Sequence, residues 1–327
     1  MDREERTVKV KARASSGLSG FFVPHITGSL ETTGAAGGGL GIDSAITVEI
    51  SLEALDRSQG SVALLNIING VEVNSCLARY IVEKILSISE EKSNRIIIKQ
   101  SISVPIGGGY GTSGGSAVAI SFALAKALNV PLDFYTITEI AHEADIVCKT
   151  GLGTVVGIMK PCNGITIVRK PGGPRYAEIM CIPIDDSLLA LTAFYKPIPK
   201  NTILTNLEDL EKVRAIGLET LRKIELNPTP ETFIDNCYRF AIESKIMTPT
   251  VRNTIELLNK VEGVIGASMN MIGEALFALI DKNVVDNAVE AVMTTNPKWV
   301  YIWRPNNNGI DIEVIKHSEQ HDEFRAI

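Results

Sequence analysis

The stretch Val104-Pro105-Ile106-Gly107-Gly108-Gly109-Tyr110-Gly111-Thr112-Ser113-Gly114-Gly115-Ser116-Ala117 holds six of the chain's 27 glycines and lies between two different periodicities. On its N-terminal side, residues 94–103 are rich in β-branched side chains and end close to a proline, the pattern of a strand. On its C-terminal side, Ala117, Ile120, Leu124 and Leu128 recur at helical spacing without a proline. The reading is strand, glycine-rich loop, helix. Such a junction offers backbone N–H groups with no intrahelical partner at the positive end of a helix dipole, which attracts phosphate oxygens. Thr112, Ser113 and Ser116 add hydroxyls suited to a phosphate or a metal ion.

Two familiar phosphate loops fit poorly. A Walker loop needs a lysine beside its final Ser or Thr, and no lysine lies between Gln100 and Ala125. Gly109-Tyr110-Gly111-Thr112-Ser113-Gly114 matches the dinucleotide fingerprint by letter. That fingerprint also needs a second parallel strand ending in an acidic residue about 20 positions on, and residues 129–133 are a short break before another helix.

The segment resembles the second motif of the GHMP kinases, P-x-x-x-G-L-G-S-S-A, through Pro105 and Gly109-Tyr110-Gly111-Thr112-Ser113. Further pieces are similar in order and spacing to the archaeal pantoate kinase branch, whose pattern runs A-H-x-A-E, T-G-L-G-D-V and R-x-x-P-G-x-P. They are Ala141-His142-Glu143-Ala144-Asp145, then Lys149-Thr150-Gly151-Leu152-Gly153, then Val168-Arg169-Lys170-Pro171-Gly172-Gly173-Pro174. Gly20-Phe21-Phe22 and Gly266-Ala267-Ser268-Met269 extend the likeness over most of the chain.

The resemblance implies an α+β fold of two domains, an ATP-binding domain over residues 1–175 and a ferredoxin-like α/β sandwich over residues 176–327. It implies ATP and Mg2+ as cofactors and a primary alcohol, pantoate or pantothenate, as acceptor on the way to coenzyme A. Gly107, Gly108, Gly109, Gly111, Thr112, Ser113, Gly114, Gly115 and Ser116 would cradle the triphosphate. Ser113 and Asp145 would hold the metal, which takes one or two protein oxygens beside phosphate and water. Ser16, Ser19, His25 and Arg169 would meet the acceptor. The sequence departs from the family at three places. Leu18 replaces a histidine in the acceptor segment, and Met269-Asn270 stand where glycines are usual in a third glycine-rich motif. Thr154 replaces the aspartate expected to serve as base, and a threonine is no general base near neutral pH. Those departures keep open a protein on this fold that binds a nucleotide or metabolite without turnover. The plain alternative for Asp145 is a surface pair with His142 or Lys149.

Composition sets the bounds. With 327 residues, 45% hydrophobic and 21% charged, the chain has length for two modest cores. A formal charge of −6 leaves no basic face for nucleic acid or an anionic membrane. Five cysteines without metal-ligand spacing read as reduced thiols, and the polar start of the chain as lacking a signal peptide, which together suggest a cytoplasmic protein. A homodimer is compatible with the sequence.

Along the chain, residues 8–14 alternate as a strand, and the glycine-rich residues 32–41 read as a long loop. Residues 45–52 and 62–68 read as paired strands, 75–86 as a helix, and 178–184 with 188–195 as another strand pair. Long amphipathic helices follow between residues 201 and 261, with Leu204, Leu207, Leu210, Val213, Ile216, Leu218 and Leu221 as apolar positions. Residues 261–280 read as strand, loop and helix, 284–293 as a helix, 299–303 and 309–315 as closing strands, and the C-terminal tail as frayed.

Overall fold

The computed structural model describes residues 8–53, 62–90, 95–198 and 207–315. The expectations for the first six residues, for Leu204 and for the C-terminal tail lie outside them. Two long strands, β1 (Val8–His25) and β2 (Gly34–Glu53), form an antiparallel hairpin whose register runs from Val8 opposite Leu52 to His25 opposite Gly34. The glycine-rich residues expected as a loop are therefore largely strand, and only residues 26–33 turn the chain. The physical reason is space. A Cβ at Gly38 would fall 2.5 Å from Ile167 and 2.8 Å from Phe21, so large neighbours fill the room that its missing side chain leaves.

The chain continues through β3 (Ala63–Ile68), β4 (Val71–Glu72), α1 (Cys76–Ile88) and β5 (Arg95–Ile102). Next come α2 (Thr112–Ala127), α3 (Phe134–Val147), α4 (Thr154–Ile158), β6 (Gly164–Lys170) and β7 (Glu178–Pro183). With β12 (Ile310–Ile315), these strands make an eight-stranded sheet of order β12-β1-β2-β5-β3-β4, in which β6 pairs with the other half of β2 and β7 with β6. The strands expected to pair over residues 45–52 and 62–68 are separated by β5, which runs parallel to β3.

A second sheet holds β8 (Leu188–Lys196), β9 (Val264–Met269), β10 (Glu274–Asp281) and β11 (Trp299–Trp303) in the antiparallel order β11-β8-β10-β9. Helices α5 (Leu207–Leu226), α6 (Pro230–Glu243) and α7 (Pro249–Leu258) lead from β8 to β9, and α8 (Val285–Met293) leads from β10 to β11. Strand, helices, two strands, helix, strand is the ferredoxin-like succession that the resemblance implied. The division expected at residue 175 does not follow the sheets, because β7 and β12 both belong to the larger one.

Three expectations are corrected here. Residues 264–281 are a hairpin of two strands; β10 is central and buried along nearly its whole length, so it lacks the alternation that marks a half-exposed strand. β7 and β8 belong to different sheets and do not pair. The cysteines are not all reduced: Cys76 is bonded to Cys148 and Cys162 to Cys181, with Cα separations of 5.9 and 5.8 Å. Sequence spacing cannot reveal partners that only folding brings within bridging range. Cys237 stays a buried thiol, its pKa raised well above the ordinary value by burial.

One apolar core joins helices α1, α2 and α3 to the first half of the β1–β2 hairpin. The other joins the second sheet and α5–α7 to the far half of the same hairpin, through Leu18, Phe21, Val23 and Leu40. Of the positions expected to be apolar on α5, Val213 and Leu221 are buried whereas Leu218 is 46% exposed. Among the described residues no helix is long and apolar enough to cross a membrane.

The start of α3 is fixed by Asp133, whose carboxylate accepts from the N–H groups of Tyr135 and Thr136 and from the Arg175 guanidinium. Bonds from Thr136, then the Arg175 charge, hold its pKa down at about 2. A lowered carboxylate pKa stabilises the fold above the unfolded value of 3.8, and that contribution fades as pH falls through about 2. Asp133→Asn keeps the cap, so it is expected to flatten the dependence of melting temperature on pH in this acid range. Under non-reducing denaturation one thiol is expected to react with a thiol reagent, that of Cys237. Reduction is expected to remove roughly 2–4 kcal/mol per bridge, read as a lower melting temperature.

Candidate active site

The glycine loop leaves β5 and enters α2 by a path that side chains would obstruct. Gly109 has φ +84°, and a Cβ there would sit 2.8 Å from the Met271 carbonyl oxygen. Gly111, at φ +67°, is the N-cap of α2 and supplies no side-chain bond. Gly115 N–H bonds the Gly111 carbonyl at 3.0 Å, so the helical ladder starts there, and the amides of Thr112, Ser113 and Gly114 precede it at the helix N-terminus. Between these glycines Tyr110 is buried in the core as an anchor, and burial pushes its phenol up to about 12.

This loop forms one wall of a cavity of about 670 Å³. The other walls come from the β1–β2 hairpin, the turn after α3 and the β9–β10 turn. Gly107, Gly109, Gly111, Thr112 and Ser113 line it. Gly108 turns its carbonyl away toward Asn270 instead. Gly114, Gly115 and Ser116 lie buried within α2; Gly114 packs against Thr154 and Gly115 against Ile46. Their expected place in the cradle is thus corrected to helix packing, with the Gly114 N–H alone at the open helix end.

Asp145 is on the last turn of α3 and only 1% exposed. Thr150 Oγ1 donates to its Oδ1 at 2.5 Å, while Ser113 Oγ donates to the Thr150 carbonyl at 3.3 Å. Ser113 and Asp145 are therefore joined through Thr150, a residue that the sequence reading left without a role. Gly151 closes over the carboxylate, since a Cβ there would lie 2.3 Å from Oδ2. The donors are all oxygens, a hydroxyl and a carboxylate, which suits magnesium. Among the described residues no three His, Cys, Asp or Glu side chains gather as a metal cluster. Neighbouring His142 faces elsewhere: its Nε2 lies 2.9 Å from the Thr33 carbonyl, and burial lowers its pKa.

Thr154 lines the cavity with its methyl group toward Gly111 and Gly114. Of the residues expected at the acceptor, only Ser19 lines the cavity. Ser16 is fully buried, and its hydroxyl donates to the Ser44 carbonyl at 3.3 Å. His25 ends β1 outside the cavity lining. Arg169 Nε donates to Glu225 Oε1 at 2.6 Å on the outer face of β6, whereas Thr166 and Val168 line the cavity. Period-two alternation along β6 accounts for this, since Val168 and Arg169 fall on opposite faces.

The sequence reading also undervalued Asn270. Its side chain is fully buried, accepts the Ser19 N–H at 2.8 Å and donates to the Gly108 carbonyl at 2.8 Å. What looked like a depleted glycine motif is a brace between β1, the glycine loop and the second sheet.

Residues 75–159 match the family described as GHMP kinases N terminal domain. A pantoate kinase of Methanocaldococcus jannaschii is 29% identical over 272 residues, covering 83% of this chain and 93% of the relative. Over residues 75–159 the chain is similar to the GHMP kinases. A second archaeal relative, a pantoate kinase of Thermococcus kodakarensis, is 26% identical over 309 residues, covering 90% and 97%. Among solved structures, a phosphotransferase related to the coenzyme A biosynthesis pathway superposes with a TM-score of 0.82 at 22% identity, covering 93% of this chain and 98% of its own. A mevalonate diphosphate decarboxylase from Staphylococcus aureus superposes at 0.69 and 12% identity, covering 94% and 98%. At such identities the superpositions speak for the GHMP fold alone.

Asn270→Ala would strand the part-buried Ser19 N–H and the buried Gly108 carbonyl. It is expected to cost roughly 2–4 kcal/mol in denaturant unfolding. Nucleotide affinity is expected to fall with it, because the loop loses its brace.

Proposed function

We propose that the chain is an ATP-dependent pantoate kinase, transferring the γ-phosphoryl group to the primary hydroxyl of pantoate in the synthesis of coenzyme A. The observation that carries the reading is nearly full-length similarity to pantoate kinases, over 83% and 90% of this chain. It favours pantoate over pantothenate. The phosphate loop on this fold supports transfer over simple binding.

In this reading Gly107, Gly109, Gly111, Thr112 and Ser113 and the first amides of α2 hold the triphosphate. Ser113 and Asp145 would hold Mg2+, which when bound supplies positive charge against the phosphates. Ser19 and Thr154 face the acceptor. Thr154 orients a hydroxyl and cannot take its proton, so rate enhancement comes from positioning and charge neutralisation, the main sources of catalysis for this reaction class. We place the enzyme in the cytoplasm; disulfides there have precedent in proteins of thermophilic archaea.

The test is ADP release with ATP and Mg2+, offering pantoate, pantothenate, mevalonate and homoserine in parallel, with products identified by mass. Turnover with pantoate is expected. Turnover with pantothenate in its place would reassign the acceptor, and silence with all four would overturn the kinase reading. Asp145→Asn is expected to lower kcat by about 100-fold or more with the fold retained by circular dichroism.

A further inference from the structure

We infer that Lys149 is a catalytic residue whose ammonium group pairs with the oxygens of the phosphoryl group in transit. The inference rests on the kinase reading above and adds a residue that neither the sequence motifs nor the metal pair supplied.

The first observation is conformational. Helix α3 ends with the Lys149 N–H bonded to the Ile146 carbonyl at 3.0 Å and the Thr150 N–H to the Asp145 carbonyl at 2.9 Å. This is the pair of bonds that closes a helix when the next residue turns left-handed, a place where glycine is strongly favoured. Lys149 stands there with φ +54°. A side chain is strained in that region, and strain kept beside a cavity directs attention to what the side chain does.

The second observation is electrostatic. Among the described residues that line the cavity, Lys149 alone carries a formal charge. The glycine loop offers neutral donors only. Arg169, the cation expected at the site, is engaged with Glu225 outside it.

The third is position. Thr150, the next residue, links Ser113 of the loop to Asp145 of the helix. Lys149 therefore lines the cavity next in sequence to the residue that joins the loop to Asp145, and the proposal puts the terminal phosphate there. A compact ammonium on a flexible stem suits a group that moves during transfer.

In the step itself, the acceptor hydroxyl oxygen forms a bond to the γ-phosphorus. The bond from that phosphorus to the β,γ-bridging oxygen breaks, and its electron pair leaves on ADP. The hydroxyl proton passes to an oxygen of the transferred phosphoryl group and then to water, so no protein base is required. Lys149 stabilises the charge spread over the equatorial oxygens.

Three substitutions test this. Lys149→Gly relieves the backbone, so its melting temperature is expected to equal or exceed that of the unaltered protein while activity is lost. Lys149→Met is expected to lower kcat about 100-fold, with the acceptor KM changed by less than about threefold. Lys149→Arg is expected to recover part of the rate. By calorimetry without acceptor, Lys149→Met is expected to weaken a non-hydrolysable ATP analogue about tenfold while leaving ADP unchanged, since only the analogue carries the γ-phosphate. A rise in acceptor KM at unchanged kcat, or equal weakening of analogue and ADP, would overturn the assignment. An inactive unaltered protein would sink the kinase reading instead, and the comparison of analogue with ADP would still decide Lys149.

Discussion

One buried amide, that of Asn270, ties together the three parts from which the cavity is made. Its oxygen takes a donor from β1 and its nitrogen reaches the glycine loop, while its own main chain belongs to the turn between β9 and β10. The Gly108 carbonyl is buried and the Ser19 N–H part-buried, so both groups would lose their partner without it. The glycine loop has little side-chain bulk with which to hold itself in place. Its shape is imposed from outside, by Asn270 on one flank and by the buried Tyr110 ring within.

The β1–β2 hairpin supplies the larger frame. Its first half is packed by α1–α3 and its second by the helices and sheet of the C-terminal region, so one rigid ladder enters both cores. The cavity lies along it. Relative motion of the two cores must bend this hairpin, and the irregularities near Ser15/Ser16 and Ser19/Phe21 are the places where its register already shifts. Gly38 of β2 serves close packing, since Ile167, Phe21 and, from α6, Phe233 crowd the place its side chain would take.

How much of this could be read from the chain differs from residue to residue. The strand, loop and helix around Gly107–Ser113 were legible because each depends on local chemistry: β-branched residues, positive φ and helical spacing. Asp145 was singled out by the resemblance, and its burial at the end of α3 emerges only in the fold. The glycine-rich strand at residues 34–41 was not legible, because its regularity comes from bulky neighbours far along the chain. β10 hid for the opposite reason, being apolar on both faces. Asn270 and Thr150 are short polar residues whose roles arise only when distant backbone groups converge on them. The disulfide partners share that property. Arg169 shows a missed inference of another kind, because strand parity already put it on the face away from Val168.

The last described strand, β12, lies beside the first, and the loop before it bonds to β1 as well, through the Ser15 N–H and the Gly309 carbonyl. These partners are 294 positions apart in the chain. During synthesis β1 emerges well before the segment that covers its outer edge. Until β12 follows, a nascent chain carries an open sheet edge, an invitation to wrong pairing that a product truncated before β12 would keep for good.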